Sequence, residues 1–255
     1  MKTPVLYHIE ISHYNEKARW ALDYKNVPHE RRAPTPMLHT AQALVMTGKP
    51  TLPILKLNGK NIGDSTRIIE ALEREFPEPP LYPKDGGERR RALELEDYFD
   101  EELGPNIRRW LFHQGLDEME PADFVEGAMG NAPGAVKTFM KATSPVVSRV
   151  LRLRYGISAD RAQAARQKVD AAFDKVEQEL QPSGYLVGDR FTVADLTAAA
   201  LLFPLVRPPE APHRIEGPLP PTVAAYRDQV AIRDGFKWVK QIYREHRGVS
   251  AAIAA

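Results

Sequence analysis

Apolar positions along the chain follow two rhythms, and the change between them divides it. Near the N-terminus, Pro4 to Ile9 is a short apolar run that reads as a strand. Asn15 to Tyr24 then carries Ala18, Ala21 and Leu22 with Trp20 between them, which is helical spacing. Val27-Pro28 ends that helix, because proline cannot continue one. Val27 to Arg32 is a second, weakly patterned strand, and His39 to Thr47 a short helix closed by Gly48. Ile54-Leu55-Lys56-Leu57 and Lys60-Asn61-Ile62-Gly63 flank Asn58-Gly59, a strong two-residue hairpin turn. Ser65 to Phe76 is amphipathic, with Ile68, Ile69, Leu72 and Phe76 on one side. The order is strand, helix, strand, helix, hairpin, helix, which suits one compact α/β domain.

Pro77-Glu78-Pro79-Pro80 and Asp85-Gly86-Gly87 break this rhythm, and everything after them reads helical. The expected division is a domain at 1–78, a linker at 79–88 and an all-helical domain at 89–255. Helices are expected over Glu88–Phe112, Arg161–Leu180, Val193–Leu205, Thr222–Val230 and Phe236–His246. The third is apolar nearly all round and so belongs at the centre of the core. Thr192 and Asp195 open it as a capping box. Residues 114–160 resist this reading, since Pro121, Gly127, Gly130, Pro133-Gly134 and Pro145 interrupt the pattern.

Composition removes several functions. The chain has 255 residues and a formal net charge of +1, so no global field points to nucleic acid or an anionic membrane. It has no cysteine, which excludes disulfides, thiolate metal sites and a cysteine nucleophile. No Walker loop, dinucleotide-binding glycine motif or serine-hydrolase elbow is present. His8 and His13 flank Glu10 without metal-site spacing, so no metal is expected. The N-terminal apolar run is too short for a signal peptide, and Val193–Val206 carries Asp195 and Pro204. The expected setting is the cytoplasm.

Candidate chemistry gathers at two places. Pro53 opens an apolar run, where it cannot donate to a ladder and holds Leu52 extended. Eleven residues on from Pro53, Asp64-Ser65 places an acid and a hydroxyl at a helix N-terminus, whose bare N–H groups attract an anion. Together these look like a peptide-binding cleft. Leu6-Tyr7 followed by Ser12-His13-Tyr14-Asn15-Glu16-Lys17-Ala18-Arg19 resembles the strand-to-helix corner of the serine and cysteine classes of the cytosolic glutathione transferases. Leu52-Pro53 with Asp64-Ser65 resembles that superfamily's glutathione cleft. Gly184 to Asp189, then Phe191-Thr192-Val193-Ala194-Asp195, resembles its cap on the buried helix.

The resemblance implies a thioredoxin-like βαβαββα domain before an all-α domain, and glutathione as co-substrate. It implies a cis Leu52-Pro53 bond that presents the Leu52 backbone to the cysteinyl unit. Asp64 would take the γ-glutamyl ammonium and Ser65 the γ-glutamyl carboxylate, with His39 and Lys49 as candidates for the glycyl carboxylate. Ser12 stands where the thiol-activating residue would be; Tyr7 is the competing donor, and Tyr14 and His13 follow. Lys17 and Arg19 are expected to make ion pairs. Thiol-dependent deglutathionylation is excluded by the serine at this corner. Tyr14, Tyr98, Asn106, Trp110 and His113 would line the pocket for a small hydrophobic electrophile. The implied activity is conjugation, with peroxidase or isomerase variants, in a homodimer. The rival expectation is a catalytically weak relative that binds a ligand or partner, with 114–160 as a roof over the site or an altered contact face.

Overall fold

Strand β1 (Val5–Tyr7) lies at the middle of a mixed sheet because both its neighbours find it. The computed structural model describes residues 2–34, 38–128, 134–213 and 217–253. β1 pairs parallel with β2 (His29–Arg32) and antiparallel with β3 (Ile54–Leu57). Asn58, at φ 50°, and Gly59, at φ 80°, make the left-handed turn that returns β3 into β4 (Lys60–Gly63). Helices α1 (His13–Tyr24), α2 (Leu38–Thr47) and α3 (Ser65–Glu75) complete the βαβαββα order that the sequence predicts. A fifth strand, β5 (Ala252–Ile253), pairs parallel with β2 and gives the order β4-β3-β1-β2-β5. The sequence reading missed it, because two residues carry no periodicity.

The tail that ends in β5 is also a clamp. Arg247, 2% exposed, enters the first domain and bonds Glu16 Oε1 at 2.6 Å and Asp23 Oδ2 at 2.9 Å. Glu16 also holds Arg19 at 2.9 Å, and Asp23 holds Arg31 at 2.6 Å. Each carboxylate thus faces two guanidiniums. Arg247 and then Arg19 hold the Glu16 carboxyl below its usual value against the opposing effect of burial. Asp23 is lowered in the same way by Arg247 and Arg31. Lys17 pairs with Glu96 at 2.7 Å and Asp100 at 2.5 Å, so Lys17 and Arg19 are ion-pairing residues as expected.

The stretch after α3 is packed. Leu81 is fully buried, its N–H donates to Glu73, and its carbonyl accepts from Val193 N at 2.9 Å. Beyond it run α4 (Gly86–Tyr98), α5 (Gly104–Glu118), α6 (Pro121–Ala128), α7 (Gly134–Ala142), α8 (Ser144–Tyr155), α9 (Ala159–Glu179), α10 (Val193–Val206), α11 (Pro221–Val230) and α12 (Asp234–His246). All of α10 is buried, as its apolar sequence requires. Thr192 and Asp195 form the expected capping box. Asp195 also accepts from Leu186 N at 2.8 Å. Burial pushes the Asp195 carboxyl up to about 6 against these bonds.

Glu88–Phe112 is not one regular helix. A π-turn at Phe99–Leu103 separates α4 from α5. Gly104 N donates to Phe99 O, and Pro105 has no N–H, so the Asp100 carbonyl is left free of helix bonding. It accepts the Tyr14 hydroxyl at 2.6 Å instead. The difficult segment resolves into the end of α5 and three short helices; residues 129–133 lie outside the described set.

Candidate functional site

Ser12 is the N-cap of α1, yet its side chain makes no capping bond. Its hydroxyl oxygen instead accepts from Asn15 Nδ2 at 2.7 Å. Asn15 is fully buried, and its Oδ1 accepts Ile9 N at 3.2 Å. Its Nδ2 also faces Leu52 O at 3.4 Å. One amide therefore ties the β1–α1 corner to the loop before β3, where Leu52-Pro53 is cis as the resemblance implies. With its oxygen already accepting, Ser12 keeps its own proton to donate.

The neighbouring donors are committed elsewhere. His13 is buried with Nε2 3.0 Å from Gly104 O, and burial, then Arg108, lowers it from 6.5 to about 3. It is neutral and pinned to α5. Tyr14 gives its proton to Asp100 O, and burial, then the Asp100 charge, raises its pKa. A Cβ at Gly104 would overlap the Tyr14 hydroxyl, so this contact needs glycine. Tyr7 is half-buried on β1 beside Arg32 and is not among the cavity-lining residues.

Asp64 is the N-cap of α3 at φ 79°, and its Oδ1 accepts Thr66 N at 3.0 Å and Arg67 N at 3.4 Å. The residue is exposed, and Ser65 beside it is 4% exposed. The Thr66 hydroxyl donates to Asp100 Oδ2 at 2.8 Å, which fixes this helix end against the π-turn.

A cavity of about 1020 Å³ opens between the corner and the helices. Ile9 to Tyr14, His39 and Pro50 to Leu52 form one wall. Ile107, Arg108, Leu111, Phe112 and Gly115 of α5 form the other. Phe124, Lys137, Arg154 and Tyr155 line it too, so residues of the 114–160 segment reach the cavity. Gly115 permits the approach of Phe124, since a Cβ there would overlap the Phe124 ring. The end of α10 adds Pro204 and Arg207, and the loop beyond it His213.

The site residues proposed from sequence divide accordingly. Ser12, Tyr14, His39 and Leu52 line the cavity. Burial and the Arg154 charge lower the His39 pKa. Pro53, Asp64, Ser65 and Lys49 are not on the wall, and Lys49 is exposed beyond the end of α2. Four expected pocket residues also lie off it. The Tyr98 hydroxyl faces Ala171 O of α9. Asn106 bonds Glu102 O and Arg109. Trp110 packs edge-on against Tyr226. His113 pairs with Asp117 at 3.1 Å. For Asn106, Trp110 and His113, which follow the π-turn, the cause is helical phase. The π-turn inserts a residue after Tyr98, so a stripe carried forward from it lands on the wrong face. The cavity face of α5 is 107, 108, 111, 112 and 115.

Asn15, Asp100, Arg108 and Tyr155 escaped the sequence reading. Asn15 alone had a signal, an amide three residues past an N-cap serine.

The motifs and the comparisons agree. Residues 6–80 match the Glutathione S-transferase N-terminal domain, and 159–244 match the Glutathione S-transferase C-terminal domain. The chain is 30% identical over 106 residues to maleylacetoacetate isomerase of Dictyostelium discoideum, covering 40% of this chain and 48% of that protein. The chain thus spans about half the length of that relative. It is 24% identical to FtsZ-localized protein A of Caulobacter vibrioides, covering 77% of this chain and 75% of that one. A glutathione S-transferase of Methylobacterium radiotolerans, solved in complex with glutathione sulfonate, shares the fold at a TM-score of 0.57 and 22% identity. That match covers 100% of this chain and 99% of the other. With both of its domains matched and the serine corner and cis-proline loop in place, the chain belongs to the glutathione S-transferase superfamily.

Proposed function

We propose that this protein is a glutathione transferase in which Ser12 holds the glutathione sulfur as thiolate. The observation that carries the reading is the Asn15-to-Ser12 hydrogen bond, which leaves the Ser12 proton to donate from the cavity wall. A free thiol is only about 3% ionised at pH 7, and lowering its pKa by about two units makes thiolate the main form. That shift corresponds to about 2.7 kcal/mol of preferential stabilisation of the thiolate. One hydroxyl bond to the anion, helped by the α1 N-terminus, is of that order. The thiolate then attacks an electrophilic carbon. A carbon–sulfur bond forms, the leaving group departs with its electron pair, and the thiol proton has already passed to solvent.

Leu52 would pair with the cysteinyl backbone, Asp64 would receive the γ-glutamyl ammonium and Ser65 the γ-glutamyl carboxylate. His39 takes the glycyl carboxylate in this reading. Peroxidase and isomerase turnover are variants of the same thiolate chemistry, and the isomerase named among the relatives supports the latter. The homodimer, the cytoplasmic setting and the division at 1–78, 79–88 and 89–255 belong to the same reading.

Calorimetric titration of glutathione tests it. Wild type binds, and Asp64→Ala weakens binding by about tenfold, the worth of one charge-assisted bond. No heat of binding at millimolar glutathione contradicts it. A specific observation favours a second reading, partner binding with little catalysis. Val146, Val150 and Leu153 form an apolar stripe on α8 at 66%, 41% and 78% exposure. The similarity to FtsZ-localized protein A extends over most of the chain. Absence of glutathione binding is the result that would move the inquiry there.

A further inference from the structure

Several arginines of this molecule that leave the solvent meet carboxylates. Arg19 and Arg247 share Glu16, Arg31 meets Asp23, and Arg233 meets Glu177 and Asp174. Arg109 and Arg227 bond carbonyl oxygens instead, and Arg108, Arg166 and Arg207 each have a buried Nε without a hydrogen-bond partner and no carboxylate partner among the described residues. Arg108 lies over the Tyr155 ring at 4.6 Å, and among the described residues Arg207 hydrogen-bonds the Gly217 carbonyl, at 3.0 Å. Both line the cavity.

Both side chains are half-buried on the cavity wall, and a buried Nε without a partner is a donor that an anion entering the cavity can satisfy. The acids on the same wall leave room for one. Glu10 stands toward His213, 3.9 Å from its Nδ1, and Asp123 is the other. Beside Arg108 the surface is aromatic: Phe112 meets Phe124 and Tyr155 edge-on at 5.6 and 5.5 Å. A planar fork next to aromatic faces suits a carboxylate attached to a ring.

We infer that the cavity selects aromatic acids, with the carboxylate on Arg108, Arg207 facing the same space, and the ring against Phe112 and Phe124. This narrows the hydrophobic electrophile expected from sequence to an acidic one. The joining of that acid to glutathione rests on the transferase reading; its binding does not.

The test has two arms. Without glutathione, calorimetry compares para-toluate with para-toluamide, which share a shape and differ in charge. Wild type prefers the acid by about tenfold or more, as expected for a hydrogen-bonded charge. Arg108→Met brings the two to within about twofold, while Arg108→Lys retains part of the preference because it keeps the charge and loses the fork. No preference in wild type overturns the inference, as does a preference that survives Arg108→Met. Should Arg108→Met fail to fold, Arg108→Lys and Arg207→Met each lower the preference, and an unchanged preference in both overturns it. With glutathione, para-(chloromethyl)benzoate is compared with its benzamide counterpart, each corrected for its uncatalysed rate. Attack at the benzylic carbon expels chloride, and kcat/KM follows the same order as binding. If toluate is preferred and neither chloride is conjugated, the transferase reading fails alone. If both chlorides are conjugated and the acid has no advantage in binding or rate, the acid selectivity fails alone.

Discussion

Two groups of arginines in this molecule have opposite surroundings. In one, Arg19, Arg31 and Arg247 are locked to Glu16 and Asp23. In the other, Arg108 and Arg207 face a cavity with aromatic and carbonyl neighbours. A histidine marks each region. His8 touches Arg19 at 2.9 Å, and His13 feels Arg108. The first group satisfies its charges and fixes the fold. The second leaves its charges for something that arrives, which is how a structural ion cluster differs from a binding site.

The comparison is broken most strongly at Arg247. Arg247→Met leaves Glu16 and Asp23 each short of a buried partner and lowers unfolding stability by about 3–5 kcal/mol. Urea titration reads this as a drop in midpoint; a change near zero would mean the clamp is ornamental. The same two carboxyls lie below their ordinary values of 4.5 and 3.8. Their contribution is present above those values and is lost as pH falls further, so Arg247→Met also flattens the strongly acid limb.

The histidines act nearer neutrality. His8 is lowered to about 2 by burial, then Arg19, and His13 to about 3 by burial, then Arg108. Both stay neutral in the fold, while the unfolded chain takes up protons below 6.5. Their stabilisation is therefore complete above pH 6.5 and is withdrawn below it, by up to about 1.4 kcal/mol per pH unit for each group. Urea midpoints should fall from pH 7 to 5, and less steeply in His13→Gln. Parallel slopes in the two proteins would contradict this account of His13.

Gly104→Ala probes the contact between the β1–α1 corner and the start of α5. Its methyl displaces Tyr14 from the Asp100 carbonyl and costs about 1–3 kcal/mol by overpacking. A thermal midpoint unchanged from wild type would show that Tyr14 moves aside freely. Arg108→Met should have the smallest effect on folding, below about 1 kcal/mol, because it forfeits a ring contact and orphans no carboxylate. A loss as large as that at Arg247 would erase the distinction.

The sequence was most legible where one local rule decided the outcome. The Asn58-Gly59 turn, the α3 stripe, the Thr192–Asp195 box and the all-apolar α10 stand where their patterns place them. The corner at Ser12 and the cis Leu52-Pro53 loop were readable through resemblance. What stayed hidden was non-local or broke a period. β5 and Arg247 lie more than two hundred residues from the partners they meet on α1 and β2. The π-turn rotates α5 by one residue, so the stripe of Asn106, Trp110 and His113 misled while Arg108 carried the cavity face. Residues 114–160 look broken by glycine and proline, and those residues mark the joints of short helices beside the cavity.

The most direct test of the central claim follows the ultraviolet absorbance of the thiolate while pH is varied with glutathione bound to wild type and to Ser12→Ala. The account predicts that wild type lowers the bound thiol pKa by about two units, and that Ser12→Ala keeps its affinity for glutathione while the pKa returns toward the free value of about 8.5. An equally lowered thiol in Ser12→Ala would contradict it and return the donor to another residue of the corner.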